Sequence, residues 1–130
     1  MQTFTINNWR DLSIIWIGKA NNFGEAVEKA LKQGINFCEA DCRRRIFCEA
    51  CFAGENLSGA NFAGAMLFGA NLDKTDLSNA NLDNAVFYYD DICKANIDSI
   101  KVDYRNRIMF NHPKYCSKFT LYQRLLKCLA

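Results

Sequence analysis

The chain has 130 residues, half of them apolar, with sixteen basic and fourteen acidic side chains and a net charge of +2 at pH 7. That length predicts one domain, and no apolar run approaches the roughly 18 residues that a membrane span requires. The opening MQTFTINNWRDLSIIWIG lacks a charged stretch leading into a long apolar run with a cleavage site, so the seven cysteines read as free thiols in a cytoplasm.

In chain order, residues 2–6 and 13–17 are rich in Phe, Ile, Thr and Trp and predict two short strands of a hairpin. Asn22 is placed to N-cap a helix on which Phe23, Ala26, Val27, Ala30 and Leu31 share one face, and Gly34 ends it. Residues 1–34 therefore read as a strand-strand-helix cap on the segment that starts at Ile35.

From residue 35 to 104 the chain keeps a five-residue beat for fourteen units, beginning INFCE, ADCRR, RIFCE and ending DDICK, ANIDS, IKVDY. Every fifth position from Phe37 to Val102 is apolar, and alanine usually stands two positions before it. An amphipathic helix would repeat at three and four and a half-buried strand at two, so five means a short strand plus a corner. The central residue and the alanine then point inward, and a narrow interior requires one of them to be small. Gly54, Gly59, Gly64 and Gly69 fall at corners, where positive φ favours glycine. Four such sides close a coil of about 20 residues, and coils at the parallel-strand spacing of about 4.8 Å stack into a column about 17 Å tall.

The units ANFAG, ANLDK, ANLDN and ANIDS resemble the A(D/N)LXX pattern of the pentapeptide-repeat family. The resemblance implies a mainly β fold, a right-handed quadrilateral parallel β-helix, here of about 3.5 coils. It also implies one role to weigh, since some members of the family imitate duplex DNA and bind DNA gyrase or another topoisomerase.

Sorting the units by side separates one side from the rest. The third side, RIFCE, AMLFG and AVFYY, turns Ile46, Met66 and Val86 outward before the central residue, Cys48, Phe68 and Tyr88 outward after it, and Tyr89 to the corner. Such stripes approach the several hundred Å² that mark an interaction surface. They are covered either by the chain's own termini or by a second protein. Arg45, Glu55, Thr75 and Asp90 occupy inward positions where alanine is expected. A lone buried charge is costly, so Arg45 and Asp90 are expected to turn out at the frayed ends, and Glu55 and Thr75 to bond each other.

Beyond Val102 the register fails, because Arg107 stands where an inward residue is due. Residues 105–130 carry six basic side chains and no acidic one, against a net −5 for 35–104. After Pro113 a basic amphipathic helix is predicted over 118–128, with Leu125 and Leu126 on its apolar face. In similar proteins a C-terminal element joins two subunits, and that resemblance makes this tail a candidate dimer contact as well as a cap.

Nothing in the chain composes an active site. Cys38, Cys42, Cys48 and Cys51 point to different sides of a coil and do not converge on a metal, and a Cys48–Cys51 redox pair lacks its usual context. His112 is the only histidine, and the Arg43–Arg45 run lacks the interleaved aromatics of a nucleic-acid face. The expectation is a non-enzymatic scaffold without metal or cofactor. It makes homodimers or contacts a larger bacterial or phage protein through Ile46, Met66, Phe68, Val86, Tyr88, Tyr89, Leu125 and Leu126. No direct nucleic-acid or membrane contact is expected. A DNA mimic of this height would need about ten uncompensated negative charges at one per 1.7 Å, and the repeat has a net −5.

Overall fold

The computed structural model describes residues 1–92, 94–102 and 107–109, with residues 89, 90 and 107–109 as backbone only. The helix expected over 118–128, with Leu125 and Leu126, lies outside the described residues, as do Cys93, His112, Pro113, Cys116, Cys128 and the side chains of Tyr89, Asp90 and Arg107.

The N-terminal hairpin forms from β1 (Gln2–Asn7) and β2 (Ile14–Ala20), antiparallel, with a register shift between Ile6 and Asn7. Helix α1 (Phe23–Lys32) begins where Asn22 accepts a hydrogen bond from the Glu25 backbone N–H at 2.8 Å, which satisfies one of the otherwise orphaned donors of the first turn. It stops at Gln33 and Gly34, whose φ of +78° an L side chain seldom adopts. Phe23, Ala26, Val27, Ala30 and Leu31 are all buried, so the stripe seen in the sequence is the buried face.

After Gly34 the chain stacks on itself. Parallel bridges join residues twenty apart, among them Asp41 with Asn61, Ile46 with Met66, Cys51 with Asn71 and Asn56 with Asp76. Four five-residue units thus make one level, and each unit is a side. The third side ends in a ladder of β3 (Val86–Tyr88) with β4 (Arg107–Met109). Between them the regular corner at residue 89 gives way to a single turn, α2 (Tyr89–Ile92). The expected loss of register after Val102 is corrected to a slip of one residue. Phe87 pairs with Ile108 and Val86 with Arg107, an offset of twenty-one in place of twenty, so Arg107 takes the register position of Val86 and Ile108 that of the inward Phe87.

The interior follows the beat. Every fifth side chain from Phe37 to Val102 is buried, as are the alanines from Ala40 to Ala95 that precede them. Corners alternate with these sides through turns such as Ala40 N–H to Phe37 C=O at 2.9 Å, with φ positive at the turn's third residue. Glycine fills only some corners: Glu39, Arg44, Glu49, Lys74, Asn79, Asn84 and Ser99 also adopt positive φ, between 55 and 68°. The stacking holds these non-glycine residues in a conformation that costs each about 1–2 kcal/mol.

The N-terminal segment covers the lower end of the stack. The hairpin's Asn7 carbonyl accepts from Asp41 N–H at 2.7 Å, and Trp9 N–H donates to the Glu39 carbonyl at 2.9 Å, closing that strand edge. On the opposite part of the end, α1 lays Phe23 edge-on against Phe47, 5.7 Å between centroids, and Phe47 in turn meets Phe52 and Phe62. The Glu28 carboxylate accepts the Cys51 backbone N–H at 2.6 Å, a donor that has no level below it.

The rule-breaking inward positions resolve individually. Arg45 is exposed and lies over the Phe23 ring, 4.4 Å from its centroid, so the end of the stack turns it out as expected. Thr75 is fully buried, but its hydroxyl donates to the Phe52 carbonyl at 2.8 Å and not to Glu55, which corrects the expected pairing. A hydroxyl on so short a stem finds the carbonyl of the preceding level's corner closer than a neighbouring carboxylate.

Candidate functional site

Three sides of the coil share a device that the third lacks. Where the unit carries Asn or Asp before the central residue, its side-chain oxygen accepts the backbone N–H two residues on: Asn56 from Ser58 at 3.0 Å, Asn61 from Ala63 at 3.1 Å, Asn71 from Asp73 at 3.1 Å. The Asp76 carboxylate and the Asn81 amide do the same for Ser78 and Asp83, both at 2.9 Å. An Asx turn of this kind satisfies a donor that the coil leaves unpaired on its outer surface.

Some outer charges on those sides are locally tied. Arg43 makes a two-point contact with Asp41, at 2.9 and 3.0 Å, which with desolvation opposing it holds the Asp41 carboxyl below its ordinary range. Hydrogen bonds from Ser78 lower that of Asp76, and Lys101 reaches Asp83 at 2.9 Å.

On the third side Ile46, Met66 and Val86 replace the Asx residue and pair in line, Ile46 with Met66 and Met66 with Val86. Ile46 is 62% exposed and Met66 37%, while Val86, Phe68 and Tyr88 are half-buried and Cys48 is exposed. The Phe68 and Tyr88 rings stack obliquely, 5.1 Å between centroids. Five of the residues singled out from the sequence, Ile46, Met66, Phe68, Val86 and Tyr88, are thus gathered on one surface. The hairpin and α1 lie at the end of the stack, so among the described residues the N-terminal segment does not cover this side; a groove separates it from Asn22, Phe23 and Glu25 at the start of α1.

Among the described residues the cysteines do not assemble. Cys38, Cys48 and Cys51 are exposed and free, whereas Cys42 is fully buried, which pushes its thiol far up and leaves it unreactive. Among the described residues no three His, Cys, Asp or Glu side chains are grouped to hold a metal ion. No helix among them is long and apolar enough to cross a membrane.

Two features of the surface are not evident from residue types. Asn and Asp read simply as outward polar residues, yet they bond the backbone, and their fixed place before the central residue is the signal. Arg44 and Glu49 read as ordinary charges, yet they are the corner residues bounding the lowest level of the third side.

No curated protein matches the chain. The family model described as pentapeptide repeats matches residues 49–84 and 60–96, with eight copies. Those residues include the regular levels of the stack and most of the Asx turns just described, so the match and the geometry rest on the same five-residue unit, and residues 49–96 carry pentapeptide repeats.

Proposed function

We propose that the protein is a non-enzymatic scaffold, a right-handed quadrilateral parallel β-helix of about 3.5 coils capped by residues 1–34, that self-associates through the outer face of its third side. The observation that carries this reading is the stacked apolar surface of Ile46, Met66, Val86, Phe68 and Tyr88, of which Ile46 is 62% exposed. The remaining sides show polar Asx turns, so burying the third side gains apolar transfer free energy without stripping water from hydrogen-bonded groups.

The alternative, a DNA mimic that binds gyrase or another topoisomerase, draws less support. It needs a line of uncompensated negative charge, whereas Asp41 and Asp83 are each matched by a cation, Arg43 and Lys101.

Sedimentation of the full chain tests the scaffold reading. A concentration-dependent dimer is expected, which Met66→Asp and Phe68→Asp convert to monomer while thermal unfolding of the monomer is unchanged. A chain that is monomeric at every concentration, or a dimer indifferent to both substitutions, refutes it.

A further inference from the structure

The third side is bounded at its lowest level by Arg44 on one edge and Glu49 on the other, both exposed. The two side chains lean the same way along the column. A Cβ at Gly64 would come within 3.2 Å of the Arg44 Cγ, and one at Gly69 within 3.7 Å of the Glu49 Cγ, so each stem lies over the glycine corner of the next level. Among the described residues neither Arg44 nor Glu49 belongs to an ion pair, although Arg43 and Glu39 on the same level do. The face therefore carries an unmatched cation along one edge and an unmatched anion along the other, at one height. The aliphatic stripe of Ile46, Met66 and Val86 adjoins the cationic edge, and Cys48, Phe68 and Tyr88 adjoin the anionic edge.

Such a face is complementary to itself under one particular symmetry. A two-fold axis parallel to the column, lying between two facing copies, keeps levels matched but exchanges left and right edges. Arg44 then meets Glu49 of the second copy, twice per dimer. Met66 meets Phe68, a thioether against an aromatic ring, and Val86 meets Tyr88. A face-to-face arrangement with the columns antiparallel about the Met66 level sets Met66 against Met66 and Arg44 against the level of Asn84, which leaves all four charges unmatched.

Resting on the reading of the third side as the self-association surface, we propose that its occupant is a second copy of this chain, docked face to face with the columns parallel, so that Arg44 of each copy pairs with Glu49 of the other.

Charge reversal in the full chain tests the arrangement. Arg44→Glu and Glu49→Arg should each raise the dimer dissociation constant about tenfold or more, because each places like charges opposite one another at two symmetric points. The double variant R44E/E49R should return it to within about threefold of the parent, a rescue that loss of structure would not give. Under oxidation, Ile46→Cys should form a covalent dimer through Cys48 of the second copy, and Cys48→Ser should abolish it.

A dimer that Met66→Asp dissociates, but that ignores both charge reversals or is not rescued by the double variant, overturns the parallel arrangement and leaves self-association standing. A covalent dimer of Met66→Cys through its own new thiol overturns it in favour of antiparallel columns. A chain monomeric throughout overturns both readings. If Met66→Asp lowers the unfolding temperature without changing the mass, the face belongs to the chain's own residues 110–130 and the proposal falls.

Discussion

The second and third sides of the coil are made from the same five-residue unit and turn their central residues into the same core, yet they treat the outside in opposite ways. On the second side Asp41, Asn61 and Asn81 fold their side chains back onto the backbone N–H groups of Arg43, Ala63 and Asp83, so the outer surface completes its own hydrogen bonds. On the third, Ile46, Met66 and Val86 offer no acceptor and leave hydrocarbon at the surface. The inward half of the unit is constrained by the width of the coil, whereas the outward half is free to satisfy the backbone or to present a surface. Stacked five-residue units can therefore specialise one side without disturbing the core.

The contrast between inside and outside should give the largest effect. Phe62→Ala empties a fully buried site beside Phe47 and is expected to cost about 3–5 kcal/mol in urea unfolding, because the stacked levels cannot collapse around the gap. Phe68→Ala on the outer face should cost the monomer about 1 kcal/mol or less, most of it from the contact with Tyr88. Equal costs would mean that the third side is packed as core.

Exchanging the outer residues of the two sides should have an intermediate and asymmetric effect. Asn61→Met removes the acceptor for Ala63 N–H at a largely buried position and should destabilise by about 1–3 kcal/mol. Met66→Asn supplies an acceptor where there was none and should leave monomer stability within about 0.5 kcal/mol. A large loss from Met66→Asn would show that the apolar stripe holds the coil together.

The smallest effect should come from acid. The Arg43 contact lowers the Asp41 carboxyl below its ordinary 3.8, so the stabilisation from that group is complete above that value and disappears as the pH falls through the lowered one. The pair is partly exposed and solvent screens it. Asp41→Asn keeps an oxygen for the Arg43 N–H but loses the charge, so it should slightly flatten the acid limb of stability and leave the neutral region almost unchanged. An unaltered acid limb would show that the contact has no thermodynamic weight.

Much of the fold is legible from residue types alone. The central apolar position and the alanine before it can be read without a structure because five does not fit a helix or a simple strand, and both sets of side chains are buried. The helix with Asn22 at its start is equally plain, since capping is a local matter of one side chain and one N–H. The corners are harder. Glycine marks four of them, but Arg44 and Glu49 adopt φ of 56 and 63°, which no propensity would assign them; the hydrogen bonds of the levels above impose it.

The sequence by itself determined the five-residue unit, its inward residues, the cap and the existence of one apolar outer side, because each depends on spacing along a single strand or helix. Tertiary structure alone decided how levels meet: that Arg45 turns out onto Phe23, that Thr75 bonds the Phe52 carbonyl, that the ladder recovers at Ile108 after a slip of one residue, and that Arg44 and Glu49 flank the same face. The first three join residues more than twenty apart in the chain, and the stems of Arg44 and Glu49 lie over glycines twenty residues on. Their geometry is set by stacking, and no local pattern of residues carries it.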